Sequence, residues 1–219
     1  MTEETHAETL WRFPKSIGDV ATFVHVSDQS NILSVVFIIL TPLLFNLVCT
    51  YEYKTKSVSK LFGSAKVACV FCSIFQILCS NTRNYYINEA VDKQPKFETP
   101  FNDELMVVGY CIMGVGAMFV VTSFLRLGWF GTWHGDHFGI LLSERVTGFP
   151  FNVLDDPMYD GAVLIFIGMG IGKRSIAGLG LAFFTQLVYK VTEMVEGPFT
   201  TMIYEEAAKS KKRGAVKSR

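Results

Sequence analysis

The residues that could do chemistry fall in a few short stretches. One is Gly131-Thr132-Trp133-His134-Gly135-Asp136-His137-Phe138-Gly139-Ile140. A second runs from Arg145 to Gly161 and contains Asp155, Asp156, Pro157, Met158 and Tyr159. A third is Glu193-Met194-Val195-Glu196-Gly197-Pro198-Phe199-Thr200. A proton acceptor could be Asp136, His137 or Asp156, with Tyr159 orienting it. Glu196 could accept from hydroxyls or pair with a positive centre, or be a solvated helix end. The rings of Trp129, Phe130, Trp133, Phe138, Phe149, Phe151 and Tyr159 offer faces that attract cations; they are equally the residue types that gather at membrane interfaces. Gly114-Val115-Gly116 would let a ligand approach the backbone, or would let two helices pack closely. His134 and His137 lack an evident third metal ligand. Cys69-x-x-Cys72 has redox or zinc spacing without a second pair, and all five Cys (49, 69, 72, 79 and 111) lie in apolar runs, which favours burial as small apolar residues. We expect no metal site.

The elements that must position these residues are unusually apolar. Half of the 219 residues are hydrophobic and 14% are aromatic, with 19 Phe, while charged residues make up 18%. That is below the roughly 25% of ordinary soluble domains. Lys plus Arg balance Asp plus Glu at 20 each, which leaves no basic field for nucleic acid. Ile32–Thr50 carries no charge, although Pro42 and Asn46 lie within it. Val67–Thr82 is a second apolar run. Leu105–Leu125 is a third and also lacks charge, the pattern of a membrane span of about 20 residues. A soluble bundle would carry amphipathic stripes instead.

Between the runs, Glu52–Lys66 reads as a basic connector and Arg83–Glu104 as a polar loop broken by Pro95 and Pro100. Gly161–Gly172 and Ile176–Thr192 read as a helical hairpin bent at Lys173-Arg174. The tail carries Lys209, Lys211, Lys212, Arg213, Lys217 and Arg219. A hairpin that enters and leaves on one side puts the basic connector, the 126–160 segment and the tail on one face, which the preference of Lys and Arg for the cytosol favours. The expected architecture is therefore all-α: a polytopic membrane bundle of about four transmembrane or intramembrane elements with a C-terminal hairpin. It divides into a polar segment 1–30, a membrane domain 31–206 and a basic tail 207–219.

A family pattern runs through these pieces. Thr41-Pro42 with Asn46, Tyr51-Glu52-Tyr53-Lys54-Thr55-Lys56, and Phe62-Gly63-Ser64 come first. Gly114-Val115-Gly116, Gly135-Asp136-His137-Phe138-Gly139-Ile140-Leu141 and Arg145-Val146-Thr147-Gly148-Phe149-Pro150-Phe151-Asn152 follow. Pro157-Met158-Tyr159 with Gly161, and Pro198-Phe199-Thr200 with Ile203-Tyr204, complete it. In order and spacing the chain resembles the phosphatidylethanolamine N-methyltransferase family from about residue 29 to 206.

The resemblance implies transfer of methyl groups from S-adenosylmethionine to the amine of phosphatidylethanolamine and its mono- and dimethyl derivatives, forming phosphatidylcholine. It implies donor binding by Gly114, Val115, Gly116, Glu196 and Gly197. It also implies a multi-pass protein of the endoplasmic reticulum, with mitochondria-associated membrane as a second location. Partners are then membrane phospholipids, with no nucleic acid. The chain departs from the family pattern in three places: Glu196-Gly197 stands for Glu-Glu, Asp156-Pro157 for Asn-Pro, and His137 for a Tyr. Lipid substrate is expected to reach the site laterally, between the third run and the hairpin. Two other readings stay open on the residues alone: a relative of the isoprenylcysteine carboxyl methyltransferases, which share Pro-x-Tyr-x-Gly and an acidic C-terminal site, and a non-enzymatic small membrane subunit.

Overall fold

The computed structural model describes residues 12–14, 16–143 and 146–217. A short helix α1 (Ile17–Val20) precedes the long α2 (Gln29–Thr55), the short α3 (Ser57–Leu61), α4 (Ala65–Lys93) and α5 (Asn102–Thr132). A 3-10 turn (Gly135–Phe138), α6 (Pro157–Gly172) and α7 (Ile176–Lys217) follow. Inside a bilayer each backbone N–H and C=O must be satisfied within the chain, so an apolar segment of this length is helical. The spans 29–55, 65–93 and 102–138 are long and apolar enough to cross a membrane, and α6 is a shorter apolar helix.

Asp28 starts α2 by accepting from the Ser30 N–H at 2.9 Å. Lys56, with φ 55°, ends it in the left-handed region. The basic connector is therefore mostly helical, and buried Glu52 holds it: its carboxylate accepts from the N–H groups of Val58, at 2.7 Å, and Ser59, at 3.3 Å, at the start of α3.

The polar loop expected at 83–104 is shorter than its composition implies. α4 continues to Lys93, and only Gln94–Phe101 separates it from α5. The reason is burial: Arg83, Ile87, Ala90 and Val91 all face the core, at the spacing of one helical stripe. Of these, Ile87, Ala90 and Val91 join Ile38, Phe166, Met169, Leu181 and Ala182 from α2, α6 and α7 in a single apolar cluster.

α5 and α6 are locked together by small residues. A Cβ on Gly116 would lie 2.5 Å from the Gly161 carbonyl oxygen, and one on Gly109 would lie 2.5 Å from that of Gly168. Backbones this close exclude any larger side chain, as small residues do at membrane helix interfaces. The lateral route expected between the third run and the hairpin is thus closed.

The hairpin bends where the sequence places it, at Lys173-Arg174. The bend reaches the far end of the bundle. Lys173 pairs with Asp92 at 2.8 Å and reaches Asn88 at 2.7 Å, Arg174 pairs with Glu98, and the Phe97 N–H donates to the Arg174 carbonyl at 3.0 Å. The bend therefore shares an end of the bundle with the C-terminus of α4. α2 and α4 run antiparallel, as do α6 and α7, so the 56–64 connector, residues 126–143 and 146–156, and the C-terminal half of α7 gather at the opposite end. α7 runs without interruption through residue 207, over 42 residues or about 63 Å.

Candidate active site

The site lies at the end of the bundle opposite the hairpin bend. Gly128 makes it possible. With φ 64° and ψ −176°, this residue interrupts α5, a conformation that side-chain-bearing residues avoid. The chain turns there, runs one more helical turn to Thr132, and delivers Trp133 and His134 inward. His134 itself is left-handed, with φ 53°. A non-glycine residue in this region costs of order 1 kcal/mol or more and persists where its surroundings hold it.

What holds His134 is Glu196. Its Nε2 lies 2.8 Å from Glu196 Oε1, and its ring meets Phe45 edge-on at 4.8 Å. Glu196 is not a solvated helix end: its side chain is 15% exposed. It also accepts from Asn46 Nδ2 at 2.8 Å and from the Tyr159 hydroxyl at 2.9 Å. Four elements, α2, the end of α5, α6 and α7, thus converge on one carboxylate. Asn46 donates in addition to the Pro42 carbonyl at 3.1 Å, which ties the proline-containing turn of α2 to the site.

These groups line a cavity of about 690 Å³ that also takes in Thr41, Arg83, Trp133, Asp136, Asp156 and Tyr189. The volume suits a small-molecule or cofactor site. Several lining residues carry buried polar atoms without a partner: Thr41 Oγ1, Thr132 Oγ1, Trp133 Nε1 and His134 Nδ1. Buried polar groups are normally paired, so a cluster of unpaired ones around a cavity fits a ligand rich in hydroxyl and amine groups.

The expected site residues separate into two groups. Asp136, Asp156, Tyr159 and Glu196 line the cavity. Asp136 is tied to His137, its Oδ1 lying 3.0 Å from His137 Nδ1 and accepting from the His137 N–H at 3.0 Å. His137 lies behind the cavity wall, buried and stacked on Phe199 at 5.0 Å. Asp156 precedes α6 outside the spans, half-buried. Burial pushes its carboxyl above the ordinary aspartate value; nearby Lys190 opposes this, and Glu196 and Asp160 reinforce it. Gly114, Val115, Gly116 and Gly197 do not line the cavity. Gly116 packs against Gly161, and Gly114 and Gly197 face open space.

His134 and Asn46 line the cavity and bond Glu196, yet the sequence alone assigned them no role. Both carried a signal: Asn46 is a polar residue inside an apolar run, and His134 stands beside Asp136. Among the described residues no group of three or more His, Cys, Asp or Glu could hold a metal ion. The five cysteines are free, with Cys49, Cys69 and Cys72 buried. Cys69 and Cys72 lie in an apolar cluster with Phe45, Cys49, Ala68 and Phe138.

Residues 105–207 match the family profile for phospholipid methyltransferases. The chain is 36% identical over 192 residues to phosphatidylethanolamine N-methyltransferase A of Dictyostelium discoideum, covering 88% of this chain and 90% of that protein. It is 38% identical over 186 residues to phosphatidylethanolamine N-methyltransferase of Homo sapiens, covering 85% and 94%. It is 36% identical over 180 residues to phosphatidyl-N-methylethanolamine N-methyltransferase of Saccharomyces cerevisiae, covering 82% and 87%. No solved structure matches. With identity at this level along nearly the full length of proteins so named, the chain belongs to the phospholipid methyltransferase family.

Proposed function

We propose that this enzyme methylates the head-group amine of phosphatidylethanolamine and of its mono- and dimethyl derivatives, ending at phosphatidylcholine, with S-adenosylmethionine as methyl donor, in the membrane of the endoplasmic reticulum. The single observation that carries the reading is the Glu196 cluster with His134, Asn46 and Tyr159 on the wall of the cavity. The names of the relatives supply the substrate class.

The donor supplies an electrophilic methyl group on a sulfonium. The residues of the chain do the rest. Methyl transfer is an in-line displacement whose main requirement is alignment, and the amine must be neutral to attack. Glu196 presents a fixed negative charge to the positive centres of donor and acceptor. Asp156, whose carboxyl is raised by burial, is placed to accept the proton the amine must lose. Tyr159 binds Glu196 and stacks near Tyr189, their centroids 4.6 Å apart. Its ring, with Phe130, Trp133 and Phe151 on the cavity wall, offers faces for the increasingly methylated ammonium.

The test supplies each of the three lipids separately, with labelled donor, to membranes expressing the chain. Label should appear in phosphatidylcholine and its precursors. Label confined to a carboxyl methyl ester of a prenylated peptide would overturn the reading. Co-sedimentation with endoplasmic reticulum membranes on a density gradient checks the location.

A further inference from the structure

Arg83 sits on α4 ten residues before that helix ends at Lys93. At 1.5 Å per residue this is about 15 Å along the axis, near the middle of a ~30 Å hydrocarbon layer. The side chain is buried and lines the same cavity as Glu196. A guanidinium keeps its charge, and a charge inside a bilayer is costly unless a counter-charge meets it. Yet none of the ion pairs formed among the described residues includes Arg83. Its neighbours are neutral. Nη1 donates to the Tyr189 hydroxyl, and Nε and Nη2 donate to Asn84 Oδ1 at 3.2 and 3.0 Å. The rings of Phe166 and Tyr189 lie 5.6 and 5.8 Å from its central carbon. A guanidinium has five N–H donors; with three engaged, two remain. The missing counter-charge is one that arrives with a ligand.

The surroundings of Arg83 narrow the choice of anion. α4 and α5 do not share a packed face. They are bridged toward the site end by Trp129 Nε1 donating to Ser73 Oγ at 3.0 Å. Below that bridge the cavity wall is formed by Gln76, Ser80 and Arg83 of α4 and by Val120, Val121 and Phe124 of α5. A gap between two membrane helices, apolar on one side and carrying one cation on the other, suits a molecule with acyl chains in the bilayer and an anionic head.

We infer that the lipid acceptor enters between α4 and α5 and places its phosphodiester on Arg83; this rests on the phospholipid acceptor proposed above. The paired rings of Tyr159 and Tyr189 stand between the two charged ends of the cavity. Tyr189 accepts from Arg83, and Tyr159 donates to Glu196. A cationic end at Arg83 and an anionic end at Glu196 match a head group with phosphate at one end and amine at the other. The two free N–H groups present the planar fork that phosphate oxygens accept. The carboxylate of the methyl donor has the same chemistry, so the experiment must separate the two anions.

The test uses the full-length protein in mixed micelles with labelled donor and two acceptors that share amine and acyl chains. One is phosphatidyl-N-methylethanolamine; the other carries an uncharged carbonate linker in place of the phosphodiester. Wild type should prefer the phospholipid about ten- to a hundredfold in kcat/KM. Arg83→Gln should raise the KM of the phospholipid by a similar factor, and hold the KM of the analogue and of the donor within about twofold. Arg83→Lys, which keeps the charge and loses the fork, should fall between. A raised donor KM with the phospholipid KM unchanged would move the donor carboxylate onto Arg83 and overturn the inference. Equal losses on both acceptors would make Arg83 a structural residue and overturn it too. Wild type that methylates neither acceptor would refute the acceptor class itself, and that result is read before any variant is made.

Discussion

His134 and Glu196, 62 residues apart in sequence, meet with Nε2 and Oε1 2.8 Å apart. The contact joins the left-handed backbone after α5 to the middle of α7, and both side chains are about 15% exposed or less. Nδ1 of the same ring is buried without a partner. The pair is therefore a buried, oriented element on the cavity wall rather than a surface contact.

Glu196→Gln keeps the shape of the side chain and removes its charge. A hydrogen bond to a charged group contributes about 1.5–3 kcal/mol, or about ten- to a hundredfold. We expect the apparent KM of the donor to rise by that factor and the lipid KM to rise less. His134→Phe keeps the packing on Phe45 and should shift the same constant by a smaller amount. Because the two side chains touch, the double variant should lose less than the sum of the singles. Wild-type kinetics for Glu196→Gln would return Glu196 to the role of a structural helix-end charge.

As the proposed proton acceptor, Asp156 is expected to set the pH dependence. Burial raises its carboxyl above the ordinary aspartate value, so the group is protonated, and useless as a base, over a wider acid range than usual. The acid limb of kcat/KM therefore lies above the range of an exposed aspartate. In Asp156→Asn the amine must lose its proton unaided, and the rate should follow the fraction of free amine, climbing with pH. The wild-type to variant ratio should be about 100-fold near neutral pH and should shrink in alkali. A ratio that stays constant across the pH range would remove Asp156 from proton transfer.

Much of this arrangement was legible from residue types. The charge-free runs at Ile32–Thr50 and Leu105–Leu125 became spans, and Lys173-Arg174 marks the bend. The 83–93 stretch was not legible as helix, because Arg83, Asn84, Asn88 and Asp92 look like loop residues when counted. Their helical role shows only in the spacing of Arg83, Ile87, Ala90 and Val91. Gly114-Val115-Gly116 could not be resolved in sequence at all. The same pattern serves a ligand or a neighbouring helix, and only the Gly161 carbonyl, 45 residues on, distinguishes the two for Gly116. The union of Asn46 with Glu196, 150 residues apart, depends on the packing of α2 against α7, which no local signal encodes.

The two glycines of that motif should behave differently. Gly116→Ala puts a methyl group against the Gly161 carbonyl and should destabilise the protein by about 1–3 kcal/mol, seen as a lower Tm in detergent. Gly114→Ala meets nothing within 4 Å and should leave Tm unchanged or higher, since Ala favours helix over Gly by up to about 1 kcal/mol. A rise in donor KM for Gly114→Ala at unchanged Tm would instead put the donor against this motif.

Topology gives a prediction independent of chemistry. The hairpin bend shares an end of the bundle with Asp92 and Glu98, so the connector of α3 and the tail lie together at the other end. That end collects Lys54, Lys56, Lys60, Lys66, Arg126, Lys209, Lys211 and Arg213, the pattern of a cytosolic face. A glycosylation acceptor engineered into Gln94–Phe101 should be modified in microsomes. Acceptors placed at Gly63 or after Lys217 should not be modified, and a C-terminal tag should be open to protease. Modification at Gly63 together with a protease-accessible tail would break the hairpin topology.

Gly197 tests whether one carboxylate is enough. The family pattern the chain resembles has a second Glu here. Gly197 is exposed, its added Cβ would meet nothing within 4 Å, and it does not line the cavity that Glu196 lines. One residue along a helix is a rotation of about 100°, so a side chain at 197 leaves α7 on a different face from Glu196. Gly197→Glu should therefore fold well, gaining about 0.5–1 kcal/mol from replacing a glycine inside a helix, and should shift the donor KM by less than the tenfold or so that one charged hydrogen bond contributes. The sharper form is the double variant. If the two positions were interchangeable, Gly197→Glu would rescue Glu196→Gln. We expect no rescue, because Asn46, His134 and Tyr159 all converge on position 196, and a carboxylate one residue further on reaches none of them. Recovery of the donor KM in the double variant would show that the charge, and not its place in this cluster, is what the reaction requires.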